Sequence, residues 1–452
     1  MKITFAHCNL LDGNENMILQ KNVNIIVENE KIVSIDKDNL EGTIVDCTGK
    51  FVCPGLINMH VHLSSDGLYN HKNTDSKIAR LVNSNPIGRY IGFRICQSFA
   101  YKELMSGVTT IRCVGGLSDV DSQIRDKIKQ GKLIGPRMLV ANRAITVENG
   151  YMHNQGPMEI HQLDDCKEAL NRLLKTKPDF VKIMVTGTST NNRLKDIEMP
   201  AELIRYITNV SHRNHLPVAA HVQTKRGIKL ALENGVDIIE YGSYADDEEL
   251  LLYIRKGAKL ISILSGMIPY AHFDNTTTYI SDSVKENAKY VFNGVIDNVK
   301  KAIDHQIPVG IGNDAGRPFI CHSDFYRELV YFQKYMNVSN EYTLFLATKN
   351  NAKLLNIDNL TGTVEPGKYA DFLILDENPA EDLKALRNIN TVVFNGRVFK
   401  NPTIKRDYMN ETLWKLYEET RIEPGLIFRL LICTFGQYNV INNKFLHYEK
   451  EY

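Results

Sequence analysis

The chain has 452 residues, and its 54 lysines and arginines nearly balance its 53 acidic residues. This balance argues against nucleic acid and an anionic membrane surface as partners. A hydrophobic fraction of 43% and a charged fraction of 24% are normal for a soluble globular protein. The length accommodates one large domain and a smaller one.

The eight cysteines are scattered and form no Cys-x-x-Cys pair, which argues against a zinc ribbon and against a redox motif. No apolar signal core follows Met1. No uninterrupted apolar run reaches the ~18 residues that a membrane-spanning helix needs. We therefore expect a cytoplasmic enzyme with no membrane partner.

Short strands are predicted at both ends of the chain. Apolar and polar residues alternate over 23–27, which is typical of a half-exposed strand. Asn395-Gly396 separates two apolar runs, and Asn-Gly is a strong signal for a β-hairpin turn. We expect both ends to pair into one small β-sandwich domain that surrounds a central block. The predicted segments are 1–53 and 359–405 for the small domain, and 54–358 for the central block.

The central block alternates apolar strand-like runs with helical stretches, which indicates repeated β–α units. One helical stretch, Asp246–Lys256, opens with acidic residues, as favoured at a helix N-terminus. The block is long enough for a (β/α)8 TIM barrel, which needs ~250 residues. A doubly wound open sheet is the alternative, but no Gly-rich phosphate loop follows an early strand. The strand before His60 and seven further apolar runs give eight units; the runs lie at 107–114, 137–141, 179–186, 216–222, 236–240, 258–264 and 307–311.

Two histidines lie close together at the end of the first predicted barrel strand. His60 and His62 are two residues apart, so on a strand they point to the same face. Two imidazoles at that spacing can bind one zinc ion. Histidines satisfied by ordinary hydrogen bonds are the alternative, and further ligands at later strand ends would decide between the two.

Later strand ends do supply candidate ligands. In a (β/α)8 barrel the functional side chains lie at the carboxyl ends of the strands, and here these ends carry Lys182, His221, Tyr241 and Asp314. Burying an unpaired ammonium group is costly, which favours a functional role for Lys182 over a lysine that reaches solvent. A Schiff-base enzyme would use the same lysine as its nucleophile. In company with three histidines, Asp314 is favoured as a metal ligand over a helix cap.

In this order and spacing, these motifs resemble the amidohydrolase superfamily. The similarity is to its imidazolonepropionase-like and prolidase-like branch, which contains metal-dependent dipeptidases and carboxypeptidases. The resemblance implies a TIM barrel with a small β-sandwich domain and extends to about Lys400. It rests on segments 54–62, 135–137, 179–183, 220–222, 235–240, 312–316 and 362–371.

The resemblance implies a role for each matched residue. His60, His62 and Asp314 would bind a first divalent ion, taken as Zn²⁺. Lys182, carbamylated by carbon dioxide, would bridge it to a second ion that His221 also binds. The carbamate makes chemical sense because it removes a buried positive charge and supplies anionic oxygens. Asp314 would also take a proton from a metal-activated water, so Asp314 and Lys182 are the catalytic candidates.

Tyr241 departs from the pattern of the superfamily. The motif there is usually Ile-Glu-His-Gly, whereas this chain has Ile-Glu-Tyr-Gly over 239–242. A phenol, with an ordinary pKa near ~10, is a poorer zinc ligand than imidazole. Tyr241 could ligate as phenolate, leave the site with one metal, or donate a hydrogen bond to substrate. We expect one strongly bound metal ion and a weak or absent second.

Three more residues are candidates for substrate binding. His153 and His322 lie in loops near the predicted active face, and for both a surface position is an equal alternative. Arg112 ends a predicted strand and could bind a carboxylate with its planar fork, or form a salt bridge inside the barrel.

We expect a hydrolase that cleaves an amide bond in a small-molecule substrate, either a dipeptide or an N-acyl amino acid. Hydrolysis of a cyclic amide is one alternative, and a degenerate barrel that binds without turnover is another. We also expect a homo-oligomer. The C-terminal extension, 406–452, lies outside the resemblance. It contains a helical pattern over 411–420 and an apolar stretch, Leu426–Phe435, and we expect it to pack on the body or on a second subunit.

Overall fold

The computed structural model describes residues 2–69, 85–153, 156–188 and 197–420. Its strands are β1 (Lys2–Leu11), β2 (Leu19–Glu28), β3 (Lys31–Asp36), β4 (Thr43–Asp46), β5 (Phe51–Pro54), β6 (Leu56–Val61), β7 (Val108–Cys113), β8 (Arg137–Val140), β9 (Ile145–Val147), β10 (Met158–Ile160), β11 (Val181–Met184), β12 (Val218–Val222), β13 (Ile238–Tyr241), β14 (Lys259–Ser262), β15 (Val309–Ile311), β16 (Phe372–Leu375), β17 (Ile389–Phe394) and β18 (Arg397–Lys400).

The helices in the same part of the chain are α1 (Pro86–Met105), α2 (Val120–Lys129), α3 (Leu163–Lys175), α4 (Ala201–Arg213), α5 (Lys225–Glu233), α6 (Asp247–Lys256), α7 (Ile268–His272), α8 (Asn275–Thr278), α9 (Asp282–Asp304), α10 (Phe325–Met336), α11 (Asn340–Phe345), α12 (Asn351–Leu354) and α13 (Tyr408–Thr420). A π-helical turn covers Leu346–Asn350, and a 3₁₀ turn covers Leu383–Arg387.

The two ends of the chain form one mixed sheet. Its strand order is β18-β17-β16-β5-β1-β2-β3, with β4 paired to β1. Strand β5 joins the chain ends because it runs parallel to β1 and antiparallel to β16, with Leu373 opposite Cys53. This sheet has its own apolar core, where the rings of Phe5 and Phe372 meet edge to face at 5.0 Å. The predicted pairing of the chain ends is confirmed, and their packing as a sandwich stays a prediction.

The central part of the chain forms two sheets of parallel strands, β6-β7-β8 and β10-β9-β11-β12-β13-β14-β15. The chain over 137–147 connects them, because β8 pairs with β7 while β9 pairs with β11. On the opposite side, the segment after β15 returns to β6. There the Asp314 N–H donates to the carbonyl of His60 at 3.0 Å, and the His62 N–H donates to the carbonyl of Ala315 at 2.7 Å. The predicted α/β fold with parallel sheets is confirmed, and closure into an eight-stranded barrel stays a prediction.

Three adjacent strands carry the predicted ligands of the central sheet. Strands β11, β12 and β13 are buried along their whole length, as expected for parallel strands that are covered on both faces. Their register sets His221 opposite Met184 on one side and opposite Glu240 on the other. The polar residues of these strands are therefore enclosed near the carboxyl edge of the sheet.

The C-terminal helix α13 packs on the body of the protein. Trp414 is 1% exposed, and its ring lies 5.4 Å from the ring of Phe273 and 5.5 Å from that of Tyr331. Its indole N–H donates to the carbonyl of Phe319 at 2.9 Å. The predicted helix over 411–420 and its packing on the body are confirmed, whereas the apolar stretch Leu426–Phe435 lies outside the described residues. In the described part of the chain, no helix combines the length and the apolar character needed to cross a bilayer.

Candidate functional site

Three predicted ligands meet at the carboxyl ends of β6 and β15. The ligand atoms of His60, His62 and Asp314 all lie within 4.8 Å of one another. Asp314 Oδ1 is 3.5 Å from His60 Nε2 and 3.2 Å from His62 Nε2. Zinc bonds of ~2.0–2.2 Å in tetrahedral geometry separate neighbouring ligand atoms by about 3.4 Å. The spacing of these atoms therefore fits one divalent cation.

The other ring nitrogen of each histidine is engaged by an acceptor. His60 Nδ1 lies 2.7 Å from Glu240 Oε2, and His62 Nδ1 lies 3.0 Å from the carbonyl of Gly115. Because these oxygens accept, both Nδ1 atoms donate, which leaves Nε2 as the atom of each ring that can bind a metal. Burial lowers the pKa of His60 to about 4, against the opposing charges of Glu240 and Asp314, which keeps this imidazole neutral at pH 7.

Glu240 lies behind the histidine pair and was not among the predicted site residues. Its Oε1 accepts a hydrogen bond from Arg112 Nη1 at 2.6 Å and lies 3.9 Å from Lys182 Nζ. Burial alone would raise the pKa of the Glu240 carboxyl, but the cations of Arg112 and Lys182 hold it well below its usual range. The one sequence signal was an acidic residue in a fully apolar strand, since such a residue needs charged partners.

Arg112 takes the second of its two predicted roles. It is 1% exposed, pairs with Glu240, and lies with its guanidinium 4.2 Å from the centre of the Phe180 ring. Its Nη1 also donates to the carbonyl of Met59 at 3.1 Å. The structure thus shows the salt bridge in the interior. Nη2 makes no hydrogen bond to the described residues, and a carboxylate contact by Arg112 stays a prediction.

His322 differs from its predicted role as a substrate contact. It is 1% exposed, with Nδ1 2.9 Å from Glu103 Oε1 and Nε2 2.8 Å from the carbonyl of Ser65. Its ring also stacks on Phe99 at 4.8 Å. Both nitrogens are bound to protein groups, so this histidine ties the loop after β6 to helix α1.

Lys182 and His221 form the other side of the site. They are 1% and 3% exposed, and Lys182 Nζ and His221 Nε2 have no hydrogen-bond partner among the described residues. Burial lowers the pKa of Lys182 to about 8, although Glu240 raises it. Burial and the charges of Lys182 and Arg317 hold the pKa of His221 well below its ordinary value. Buried polar atoms without partners are rare, so these two fit a site that takes up a further group.

Tyr241 makes a contact that the sequence did not specify. Its hydroxyl donates to Asp314 Oδ2, and the side chain is 1% exposed. Burial and the neighbouring carboxylate raise the pKa of Tyr241 well above its ordinary value, so the phenol is neutral. Both residues have a left-handed backbone, with φ of 71° at Tyr241 and 62° at Asp314, a conformation that often marks functional sites. A neutral phenol that donates to a candidate ligand favours the hypothesis that residue 241 is not itself a ligand.

Arg317 is a second residue that the sequence reasoning missed. Its Nη1 donates to the Tyr241 hydroxyl oxygen at 3.0 Å and to Asp314 Oδ2 at 3.3 Å. The guanidinium also lies 4.7 Å from the centre of the Tyr270 ring. Its position three residues after Asp314 was the only available signal, and that spacing does not indicate where a long side chain points.

The loop that contains His153 also reaches the site. The ring of Tyr151 lies 4.5 Å from the ring of His221, and the Tyr151 N–H donates to Glu198 Oε2 at 2.7 Å. His153 lies in the same turn, two residues further along the chain. A substrate contact by His153 stays a prediction.

Comparison with known proteins agrees with this geometry. The sequence profile of the amidohydrolase family matches residues 51–399. The chain is 22% identical over 440 residues to ochratoxinase from Aspergillus niger, covering 89% of this chain and 88% of that protein. It is 23% identical over 384 residues to imidazolonepropionase from Picrophilus torridus, covering 81% and 88%.

A solved structure supports the same assignment. A Bifidobacterium longum protein provisionally assigned as a prolidase is 30% identical and has a TM-score of 0.80, covering 92% of this chain and 98% of that one. The matched range, 51–399, contains His60, His62 and Asp314, which the structure brings together. This chain therefore belongs to the amidohydrolase family.

Proposed function

We propose that this protein is a metal-dependent amidohydrolase that cleaves the amide bond of a dipeptide or an N-acyl amino acid. The observation that carries the proposal is the His60–His62–Asp314 cluster, whose ligand atoms lie within 4.8 Å of one another. Both imidazoles can offer Nε2 to a cation, because Glu240 and the Gly115 carbonyl accept from the two Nδ1 atoms. The similarity to a protein provisionally assigned as a prolidase supports the substrate class.

Two imidazole nitrogens and a carboxylate form a donor set suited to zinc. A cation bound there would polarise a carbonyl and lower the pKa of a bound water toward ~7. Burial would raise the pKa of the Asp314 carboxyl, but its contacts with the His60 and His62 imidazoles and the charge of Arg317 hold this pKa well below its usual range, so the carboxylate is ionised. Tyr241 and Arg317 donate to Oδ2 and leave Oδ1 directed at the two imidazoles.

We extend the proposal to a carbamate on Lys182. Only the neutral amine adds to the carbon of carbon dioxide, losing a proton as the N–C bond forms. Because the pKa of Lys182 is lowered to about 8, a larger fraction of this amine is neutral near pH 7 than in an exposed lysine. The resulting anion would place its oxygens near Arg112, because Arg112 and Lys182 both lie beside Glu240 Oε1.

We also propose that the parallel strands close into a (β/α)8 barrel. Support comes from the chain over 137–147, which joins one parallel sheet to the other, and from the hydrogen bonds between β6 and the segment after β15. Such closure would set all the candidate ligands around one mouth, as barrel enzymes require.

Hydrolysis of a cyclic amide is the second candidate function. The similarity to imidazolonepropionase over 81% of this chain favours it. Both reactions need a polarised amide carbonyl and an activated water, so the metal cluster alone does not distinguish them. The shape of the substrate pocket would.

A substrate panel with Zn²⁺-loaded protein tests the proposal. We expect amine release from dipeptides or N-acyl amino acids, its loss on treatment with a chelator, and its return on adding zinc. The His60→Ala/His62→Ala double variant should be inactive, with His212→Ala, an exposed histidine, as the matched control. Turnover of cyclic amides alone would establish the second candidate. Full activity in the metal-free double variant would contradict both.

A further inference from the structure

A second group of polar side chains borders the metal cluster. Lys182 Nζ and His221 Nε2 end there without a hydrogen-bond partner among the described residues, and the nearest carboxylate to Lys182 Nζ is that of Glu240 at 3.9 Å. The ring of Tyr241 closes the group, 5.3 Å from the ring of His221 and 6.0 Å from that of His60. Paired metal ions in hydrolases lie about 3.5–4 Å apart, so this is the neighbourhood in which a second ion would lie.

Arg317 reaches into this neighbourhood with a permanent positive charge. Its Nη1 is bound to the Tyr241 hydroxyl oxygen at 3.0 Å and to Asp314 Oδ2 at 3.3 Å. A guanidinium does not lose its proton at any ordinary pH. Its side chain is only 8% exposed and lies against the ring of Tyr270, so contacts on two sides hold the charge in place.

Tyr241 and Arg317 act as a matched pair. The phenol oxygen donates to Asp314 and accepts from Arg317, so it links the guanidinium to a ligand of the first metal. A divalent ion at the same place could not use Tyr241 as a ligand, because the phenol oxygen already accepts from Arg317 and the phenol proton is donated to Asp314. It would also meet a like charge at short range in a buried site, where screening by water is weak.

We infer that the Arg317 guanidinium occupies the place of a second divalent cation, so that the site holds one metal ion beside one organic cation. This inference rests on the proposed function for the identity of the first metal. Nη2 and Nε of Arg317 make no hydrogen bond to the described residues. Those groups can therefore donate to a carbonyl or carboxylate oxygen of the substrate, a task that a second metal performs in binuclear sites. Arg317 would thus orient the substrate beside the bound metal ion.

Metal stoichiometry tests this inference without a known substrate. Each protein is dialysed against Zn²⁺ in a bicarbonate buffer, and bound zinc is counted by plasma mass spectrometry. We expect about one zinc per chain in the wild type, in Tyr241→His and in Arg317→Met, because each of these proteins keeps at least one of the two obstacles, the Arg317 cation and the Tyr241 phenol. In the double variant Tyr241→His/Arg317→Met, which supplies a ligand and removes the charge, we expect about two.

A charge control separates electrostatics from shape. Tyr241→His/Arg317→Lys keeps a cation and should still bind about one zinc, whereas Tyr241→His/Arg317→Gln should bind about two. Circular dichroism and melting temperature verify that each variant is folded, and the Gln variant serves where the Met variant does not fold. Two zinc ions in the wild type or in Tyr241→His would overturn the inference while leaving the hydrolase proposal intact. A folded, charge-free double variant with one zinc would overturn it as well. Absence of zinc from every protein would contradict the metal centre itself, and with it both proposals.

Discussion

The two sides of the site differ in how completely their polar atoms are bound. On one side, which we name the histidine side, His60, His62 and Asp314 each have a second partner that fixes the side chain. On the other, the lysine side, Lys182 Nζ and His221 Nε2 have no hydrogen-bond partner among the described residues. Both sides are largely buried, and the most exposed of these side chains is that of His62 at 14%.

This difference indicates which side of the site is preorganised for a ligand by its hydrogen bonds. The histidine side presents lone pairs whose direction is set by hydrogen bonds from outside the cluster, so little reorganisation is needed when a cation binds. The lysine side has polar atoms whose burial is uncompensated, and such atoms lower stability until a further group satisfies them. We therefore expect metal binding on the histidine side, and chemical modification or substrate contact on the lysine side.

The largest effect should follow from removing a ligand on the histidine side. His60→Ala, His62→Ala or Asp314→Ala should each weaken zinc binding by a factor of the order of 10³, because a cluster of three ligands loses about a third of its binding energy. Zinc titration against a competing chelator measures the change. His212→Ala is the matched control, since that histidine is exposed and pairs with Asp237. Unchanged zinc affinity in the three variants would place the metal elsewhere.

Removing the support behind His60 should have a smaller effect on metal binding. Glu240→Gln leaves no carboxylate for the His60 Nδ1 proton and leaves the charge of Arg112 unpaired. We expect zinc affinity to fall about 10–100-fold and the free energy of unfolding to fall by about 3–5 kcal/mol. Denaturant titration and zinc titration measure the two quantities. Glu286→Gln, at a 70% exposed carboxylate, should change neither. An unaffected zinc affinity would mean that the histidine side is not preorganised by its hydrogen bonds.

The lysine side should affect how the free energy of unfolding depends on pH. In metal-free protein without carbon dioxide, the pKa of Lys182 lies at about 8, lowered by burial from 10.5. Between these two pH values Lys182 binds more protons in the unfolded chain than in the folded one, so its contribution to the free energy of unfolding rises with pH. The rise across this window should be about 3 kcal/mol, and the penalty is fully present below pH 8.

Lys182→Met should abolish this rise, since no amine is left to titrate. Lys415→Met, at a 72% exposed lysine, is the control and should leave the rise intact. Chemical denaturation from pH 7 to 10.5 measures the slope. A wild-type slope equal to that of Lys182→Met would show that the lysine is already satisfied, and the contrast between the two sides would disappear.

The smallest effect should come from the contact that ties the C-terminal helix to the loop beyond His62. Asn410 accepts a hydrogen bond from the Tyr69 N–H at 2.9 Å and donates to the carbonyl of Gly67 at 3.1 Å. Asn410→Ala removes both hydrogen bonds, so we expect a loss of about 1–3 kcal/mol in the free energy of unfolding. Thr412→Ala on the same helix should change it by less than about 0.5 kcal/mol. Equal effects of the two substitutions would show that helix α13 does not brace the histidine side.

Much of the fold followed from local patterns in the sequence. The apolar runs at 107–114 and 216–222 became strands β7 and β12, and the Asn395-Gly396 turn joins β17 to β18. These predictions succeeded because the apolar run that buries a strand and the residues that turn a hairpin are adjacent in the chain. The cluster of His60, His62 and Asp314 was also predictable, since parallel strands bring their carboxyl ends to one edge.

The partners that make these ligands functional were decided only by tertiary structure. Glu240 meets His60 across 180 residues, and Tyr241 meets Asp314 across 73. Arg317, which follows Asp314 closely, still turned toward Tyr241 in a way that no spacing specifies. The sequence thus determined which side chains reach the carboxyl edge, because strand position is a local property. Which atoms donate, accept or remain unpaired there depends on the packing of distant strands, and this only the folded chain fixes.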